Sequence, residues 1–163
     1  MKQCKKYPLI LLLAIILIGT VTDVSAQKKT YNWDFYKTKF QVPTDFVVSE
    51  SSETRWSGKN DNITLSIYPR KNENLSLDGM QDALYKWAVS NGVTEIGEIT
   101  VLDAEKLNGY WGYLYEGVID GFPVGTMLIV DPDYPEISLY IWASYRTGYE
   151  DAVIDILMSF VPM

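Results

Sequence analysis

Five aromatic side chains offer the most chemistry in this chain. Trp111, Tyr113 and Tyr115 alternate along one extended run, and Tyr140 and Trp142 along another. Such rings are large and stiff, and they carry a polar edge. Covered, they make core; left open, they make a stacking platform for a sugar or a protein partner. They form the candidate binding patch. Carboxylates come second. Glu116 and Asp120 end the first run, and an acid pair can hydrolyse a glycosidic bond when about 5–9 Å separates the two groups across a cleft. Asp131, Asp133 and Glu136 crowd one loop. Calcium takes oxygen ligands, but this loop lacks the glycine and alternating ligands of an EF-hand and is interrupted by Pro132 and Pro135. It reads as a polar hairpin turn.

Much other chemistry is excluded by composition. The chain has no histidine, and its single cysteine is Cys4. A Ser–His or Cys–His nucleophile pair therefore has no base. A transition-metal site has no soft or imidazole ligand. No Walker or dinucleotide glycine pattern occurs, so neither a cofactor nor a metal is assigned.

The residues before position 27 have the three parts of an export signal. Lys2, Lys5 and Lys6 are a basic start, Leu9 to Ile18 an unbroken apolar run, and Val24-Ser25-Ala26 a cleavage site ahead of Gln27. The run is shorter than the roughly 20 residues that span a bilayer. Cys4 precedes it, where no lipid-attachment cysteine stands. Residues 1–26 are thus expected to be a cleaved signal peptide, with 27–163 one domain, periplasmic or extracellular, and with no stable membrane anchor. Of 14 basic and 21 acidic residues, the signal removes three lysines and Asp23, leaving 11 against 20 and a net charge of −9. Such a surface does not release counterions from nucleic acid, and anionic lipid repels it.

The elements that must position the aromatics follow from periodicity. Gln27 to Thr30 reads as a loose leader. Tyr31 to Tyr36 and Lys39 to Val42 read as strands, the second closed by Pro43. Phe46 to Glu50 and Thr54 to Ser57 are extended, and Gly58 to Asn62 is a turn cluster. Ile63, Leu65 and Ile67 alternate with polar partners up to Pro69. A helix starts at Ser76 or Asp78, with Leu77, Met80, Leu84, Trp87 and Ala88 on one face, and stops at Gly92. Ile96 to Leu102, Tyr110 to Ile119, Val124 to Val130 and Ile137 to Tyr145 read as an antiparallel meander. Thr147-Gly148-Tyr149-Glu150 has the pattern of a capping box before the stripe Ala152, Val153, Ile156, Leu157 and Phe160. Strands, a helix, more strands and a second helix make an α+β protein with an antiparallel sheet. The last strand is apolar on both faces, which calls for cover on both and so a three-layer α/β/α sandwich.

Several runs resemble one family. Phe40-Gln41-Val42-Pro43-Thr44-Asp45-Phe46 is similar to the opening strand and turn of PsbP-like domains. Leu107-Asn108-Gly109-Tyr110-Trp111-Gly112-Tyr113 and Asp120-Gly121-Phe122-Pro123-Val124 are similar to later hairpins. Ala143-Ser144-Tyr145, followed by a helix closing on Ile156-Leu157-Met158-Ser159-Phe160, completes the series. Order and spacing carry the resemblance, which also takes in the Ran-binding Mog proteins and bacterial periplasmic DcrB-like proteins. It implies the α/β/α sandwich and a non-enzymatic binding or assembly role, and assigns no site residue. The expected function is an exported binding or assembly module for an unknown protein. A small-ligand or glycan binder using the strand aromatics is the alternative, and a carboxylate-based hydrolase stands third.

Overall fold

The computed structural model describes residues 27–102 and 105–163. The expected signal peptide over residues 1–26 lies outside the described residues. The strands are β1 (Lys28–Trp33), β2 (Thr38–Pro43), β3 (Val47–Ser51), β4 (Trp56–Lys59), β5 (Ile63–Lys71), β6 (Thr100–Leu102), β7 (Trp111–Ile119), β8 (Phe122–Val130), β9 (Ile137–Tyr145) and β10 (Val161–Pro162). Two α-helices, α1 (Leu77–Ser90) and α2 (Glu150–Leu157), and a 3-10 turn over Asp34–Tyr36 complete the elements of the described residues.

Seven strands form one antiparallel sheet in the order β3-β4-β5-β9-β8-β7-β6, and β1-β2-β10 form a second, three-stranded sheet. The expected meander is present as β7-β8-β9. Strand β9 then inserts beside β5, pairing Ile67 with Ile141 and Tyr68 with Tyr140. Side chains alternate across a strand. Leu139, Ile141 and Ala143 therefore join the core shared with α2 and the small sheet, where Phe40 stacks on Phe160 at 4.7 Å. On the opposite face Tyr140 and Leu128 pack under Met80 and Leu84 of α1. Burying each of those two helix side chains contributes roughly 1.5–3 kcal/mol. The result is an α+β sandwich with the large sheet covered on both faces.

Local expectations differ from the structure where long-range pairing overrides them. The segment Gln27 to Thr30 is not a loose leader: β1 begins at Lys28 and pairs with β2 from Lys28–Pro43 to Trp33–Thr38. This hairpin buries Trp33, which is worth more than the freedom of a short tail. Strand β1 ends at Trp33, and the chain turns through Asp34–Tyr36 with Lys37 left-handed at φ 47°. Gly58 and Lys59 belong to β4 rather than to a turn. A Cβ on Gly58 would lie 2.9 Å from the Trp56 ring, so the strand needs glycine there. The turn itself is Asn60 to Asn62, held by the Asn60 carboxamide oxygen accepting from the Ile63 amide at 2.8 Å.

Strand β5 runs past Pro69 to Lys71. Strand β4 stops pairing at Ile67, so Pro69 has only β9 as a neighbour and its missing donor is tolerated at an edge. Of the expected Ile96 to Leu102 strand, Thr100–Leu102 forms β6 beside β7, and before it the Gly97 amide alone donates to the Glu116 carbonyl of β7, at 2.9 Å, in the described residues. The first helix is capped by Ser76, whose hydroxyl accepts from the Gly79 amide at 3.1 Å. Met80, Leu84 and Ala88 are its buried face, whereas Leu77, at the first helical position, is exposed. The capping box before α2 is half made. The Glu150 carboxylate accepts from the Gly148 amide at 2.8 Å, but the helix starts after Tyr149 and no side chain caps it. Those backbone donors, Glu150's own amide first, hold its carboxyl below the ordinary value.

Candidate binding sites

The five aromatics singled out from sequence do share one face. Cross-strand register places Trp111 opposite Val130 and then Ser138, Tyr113 opposite Leu128 and then Tyr140, and Tyr115 opposite Thr126 and then Trp142. Strand β8 therefore separates the β7 rings from the β9 rings, and α1 lies over the middle. Tyr113, Tyr115 and Tyr140 are buried beneath it. The Tyr140 hydroxyl donates to Glu73 Oε2 at 3.0 Å, and burial, reinforced by that carboxylate, pushes its pKa up. Trp111 stays exposed on β7, and Trp142 is half-buried. Three of the five are thus core in the described residues, and the remaining two are apart.

Trp142 belongs to a groove where α1 ends and the sheet continues into β5 and β4. Arg55, Thr64, Ser66, Tyr68, Trp87, Asn91 and Trp142 line a space of about 240 Å³. Trp87 is the hub: its ring meets Trp142 edge-on at 5.9 Å and 86°, and Tyr68 at 5.9 Å and 61°. Arg55 stands just before β4. Its Nη2 donates to Ser66 Oγ at 3.1 Å and to Ser57 Oγ at 3.5 Å, and its guanidinium lies 5.1 Å from the Tyr68 ring centre. The hydroxyls fix the cation in place, and the ring supports it from one side.

A second cleft opens at the other end of β9. The 3-10 turn supplies Phe35 and Tyr36, the left-handed residue that ends it is Lys37, the entry to β7 gives Tyr110, and the β8–β9 loop Asp131 and Tyr134. With Ile137 and Leu139 they enclose about 190 Å³. Phe35 is 53% exposed and Tyr134 57%, both unusual for large rings. Tyr110, by contrast, is buried. Burial, with Asp131 adding and a hydrogen bond with Thr38 opposing, pushes its hydroxyl up to about 12. Asp131 Oδ1 accepts from the Asp133 amide at 2.9 Å, so its carboxylate is used to shape the hairpin turn.

Asp120 lines a polar groove of about 340 Å³ with Asn60, Asp61, Tyr145 and Arg146, but Glu116 does not. The Glu116–Asp120 pair is not brought into one cleft in the described residues. Sequence reasoning missed Arg55, Trp87, Phe35 and Tyr134 as site residues. Tyr134 and Phe35 carried a faint signal, as large rings within turn segments. Arg55 and Trp87 carried none, because their place depends on contacts with β5 and β9.

The sequence matches no protein-family model and no curated protein. Solved structures do match. The Ran-binding protein Mog1p of Saccharomyces cerevisiae superposes with a TM-score of 0.57 at 11% identity, over 83% of this chain and 95% of that one. The cyanobacterial PsbP (CyanoP) of Synechocystis sp. PCC 6803 does so with 0.59 at 14% identity, over 90% and 99%. A mutant Mog1 matches with 0.54 at 13%, over 82% and 95%. The chain has the fold of the PsbP and Mog1 proteins.

Proposed function

We propose that this chain is an exported, non-enzymatic binding module whose residues 27–163 act as one unit and whose partner is a protein. The observation that carries this is the cleft flanked by Phe35 and Tyr134. Two large rings are held half in solvent around a space with an apolar floor of Ile137 and Leu139. Exposed aromatics rimming a pocket are the usual anchors of a protein interface. The fold adds a precedent by analogy, since the similar Mog1p is Ran-binding. Export, to the periplasm or beyond, rests on the tripartite leader. Its cleavage point at Gln27 falls just ahead of β1, so processing would leave the folded part intact. Among the described residues no helix is long and apolar enough to cross a membrane. The net charge of residues 27–163 disfavours nucleic acid as a partner. The test is affinity capture from the native envelope with the wild-type protein and with Phe35→Ala and Tyr134→Ala. Equal recovery by all three refutes the cleft as the docking site.

A second reading has its own observation. The Trp142 groove is concave, lined by three aromatic rings and a fixed cation, and of a size for a small ligand or one sugar unit. Loss of small-ligand binding in Trp142→Ala, with stability retained, supports it. A carboxylate-based hydrolase gains nothing from the placement of Glu116 and Asp120.

A further inference from the structure

We infer that this protein pairs with a second copy of itself along the free edge of β1, in a weak two-fold dimer that joins the small sheets of the two copies. The inference rests on neither the cleft nor the groove.

Strand β1 borders β2 on one side and no strand on the other. Its outward backbone groups can be read from β2. The Gln41 amide donates to Ser159 Oγ at 2.8 Å, and the Gln41 carbonyl accepts from the same hydroxyl at 3.4 Å, so both turn away from β1. Gln41 stands opposite Thr30. Bonded and non-bonded pairs alternate along an antiparallel ladder. Thr30, and with it Lys28 and Asn32, therefore directs its amide and carbonyl away from β2. The Thr44 amide donates to the Gln27 carbonyl at 2.8 Å, in the same alternation. All three outward residues are exposed.

The other edge strands of the described residues are protected. Strand β10 has two residues and contains Pro162, β6 has three, and β3 carries a bulge between Val48 and Glu50. Shortness, proline and bulges keep sheet edges from joining. Strand β1 has six residues, a continuous register and no proline. Lysine is a further guard, but both lysines here are engaged. Lys28 Nζ lies 2.6 Å from Asp155 Oδ2, and Lys29 Nζ donates to the Thr44 and Phe46 carbonyls at 3.1 and 2.8 Å.

The edge is complementary to itself. A two-fold axis at Thr30 sets the copies antiparallel, with Lys28 opposite the partner's Asn32 and Thr30 opposite the partner's Thr30. Every outward amide and carbonyl of the strand is then bonded. A register shifted by two residues leaves one outward residue of each copy unpaired. On the inner face Lys29 meets the partner's Tyr31, so no like charges stand opposite one another, and threonine pairs are favourable. Residues 27–163 carry 20 acids against 11 bases, but β1 holds no acid, so the repulsion is not centred on the seam. One strand pair is small against a standard interface, which makes the association weak.

The test uses the exported protein in about 0.15 M salt. Sedimentation from about 1 μM to about 1 mM should show the mass rising from one chain toward two. Over the same range amide exchange should slow most at Lys28, Thr30 and Asn32, the amides left open in a single copy. Thr30→Pro removes an outward donor and no bond to β2. It should stay folded in a denaturant melt and associate about tenfold or more weakly. A mass of one chain throughout overturns the inference. A dimer without slowed exchange at those three amides overturns β1 as its seam, and so does undiminished association of a folded Thr30→Pro. Should that variant unfold, the exchange pattern of the wild-type protein decides.

Discussion

Replacing Phe35 by alanine separates a binding role from a structural one. Phe35 is 53% exposed, so truncation removes only about half of what full burial of the ring would supply. Full burial of a phenylalanine is worth roughly 1.5–3 kcal/mol, which puts the expected stability loss near 1 kcal/mol. Phe40 sets the contrast. It is fully buried, stacks on Phe160 at 4.7 Å and meets Trp56 edge-on at 4.8 Å, so Phe40→Ala should cost about 3–5 kcal/mol. If Phe35 anchors a partner, the order reverses for binding. An interface hot spot costs about 2 kcal/mol or more, a loss of roughly 30-fold in affinity. Denaturant melts give the first quantity, and titration of the captured partner gives the second. Unchanged affinity in Phe35→Ala, at unchanged stability, refutes the reasoning. So does a stability loss as large as that of Phe40→Ala, because the ring would then be core.

Four further outcomes are expected. Ile156, 2% exposed on the inner face of α2, should cost about 2–5 kcal/mol as Ile156→Ala in a denaturant melt. Ser76→Ala should cost about 1 kcal/mol because its hydroxyl caps α1, whereas Thr147→Ala should change stability by under about 0.5 kcal/mol because no side chain caps α2. Tyr110 keeps its proton in the fold up to about 12, while in the unfolded chain it ionises near the ordinary tyrosine value of 10.0. Its contribution is thus complete below that lower value and is lost as pH rises through the interval, by about 3 kcal/mol. Melts of wild type and Tyr110→Phe should therefore converge across it, and parallel curves would refute this. N-terminal sequencing of the exported protein should read from Gln27, and a start inside β1 would contradict the cleavage expected from the leader.

Periodic elements were legible because their signal is local. Alternation along Ile137 to Tyr145 predicted β9 with its two apolar faces, and that alone required cover on both sides of a sheet. Spacings of three and four placed Met80, Leu84 and Ala88 on the buried side of α1, and its start was readable as Ser76 or Asp78, of which the structure uses Ser76 as the cap. The hairpin at Asp120-Gly121 was readable because both residues take positive φ, at 50° and 81°. Readings failed where a competing long-range pairing settled the matter. Gln27 to Thr30 looked loose, yet Lys28 pairs with Pro43. Pro69 looked like a stop, yet β9 carries β5 past it.

The candidate sites lie at the limit of such reading. Alternation puts Trp111, Tyr113 and Tyr115 on one side of β7 and Tyr140 and Trp142 on one side of β9, and only the cross-strand register makes these the same face. It could not say which of them a helix would cover. That depends on where α1 lands across β7 and β8, and its landing buries Tyr113, Tyr115 and Tyr140 while leaving Trp142 at a groove edge. The partners of Trp142 there are Arg55, Ser66 and Tyr68, brought near only because β9 inserts beside β5. Composition and short periods are written in neighbouring residues and can be read along the chain. Exposure and the meeting of distant side chains are set by which elements pack together, and that is a balance of burial over the whole molecule.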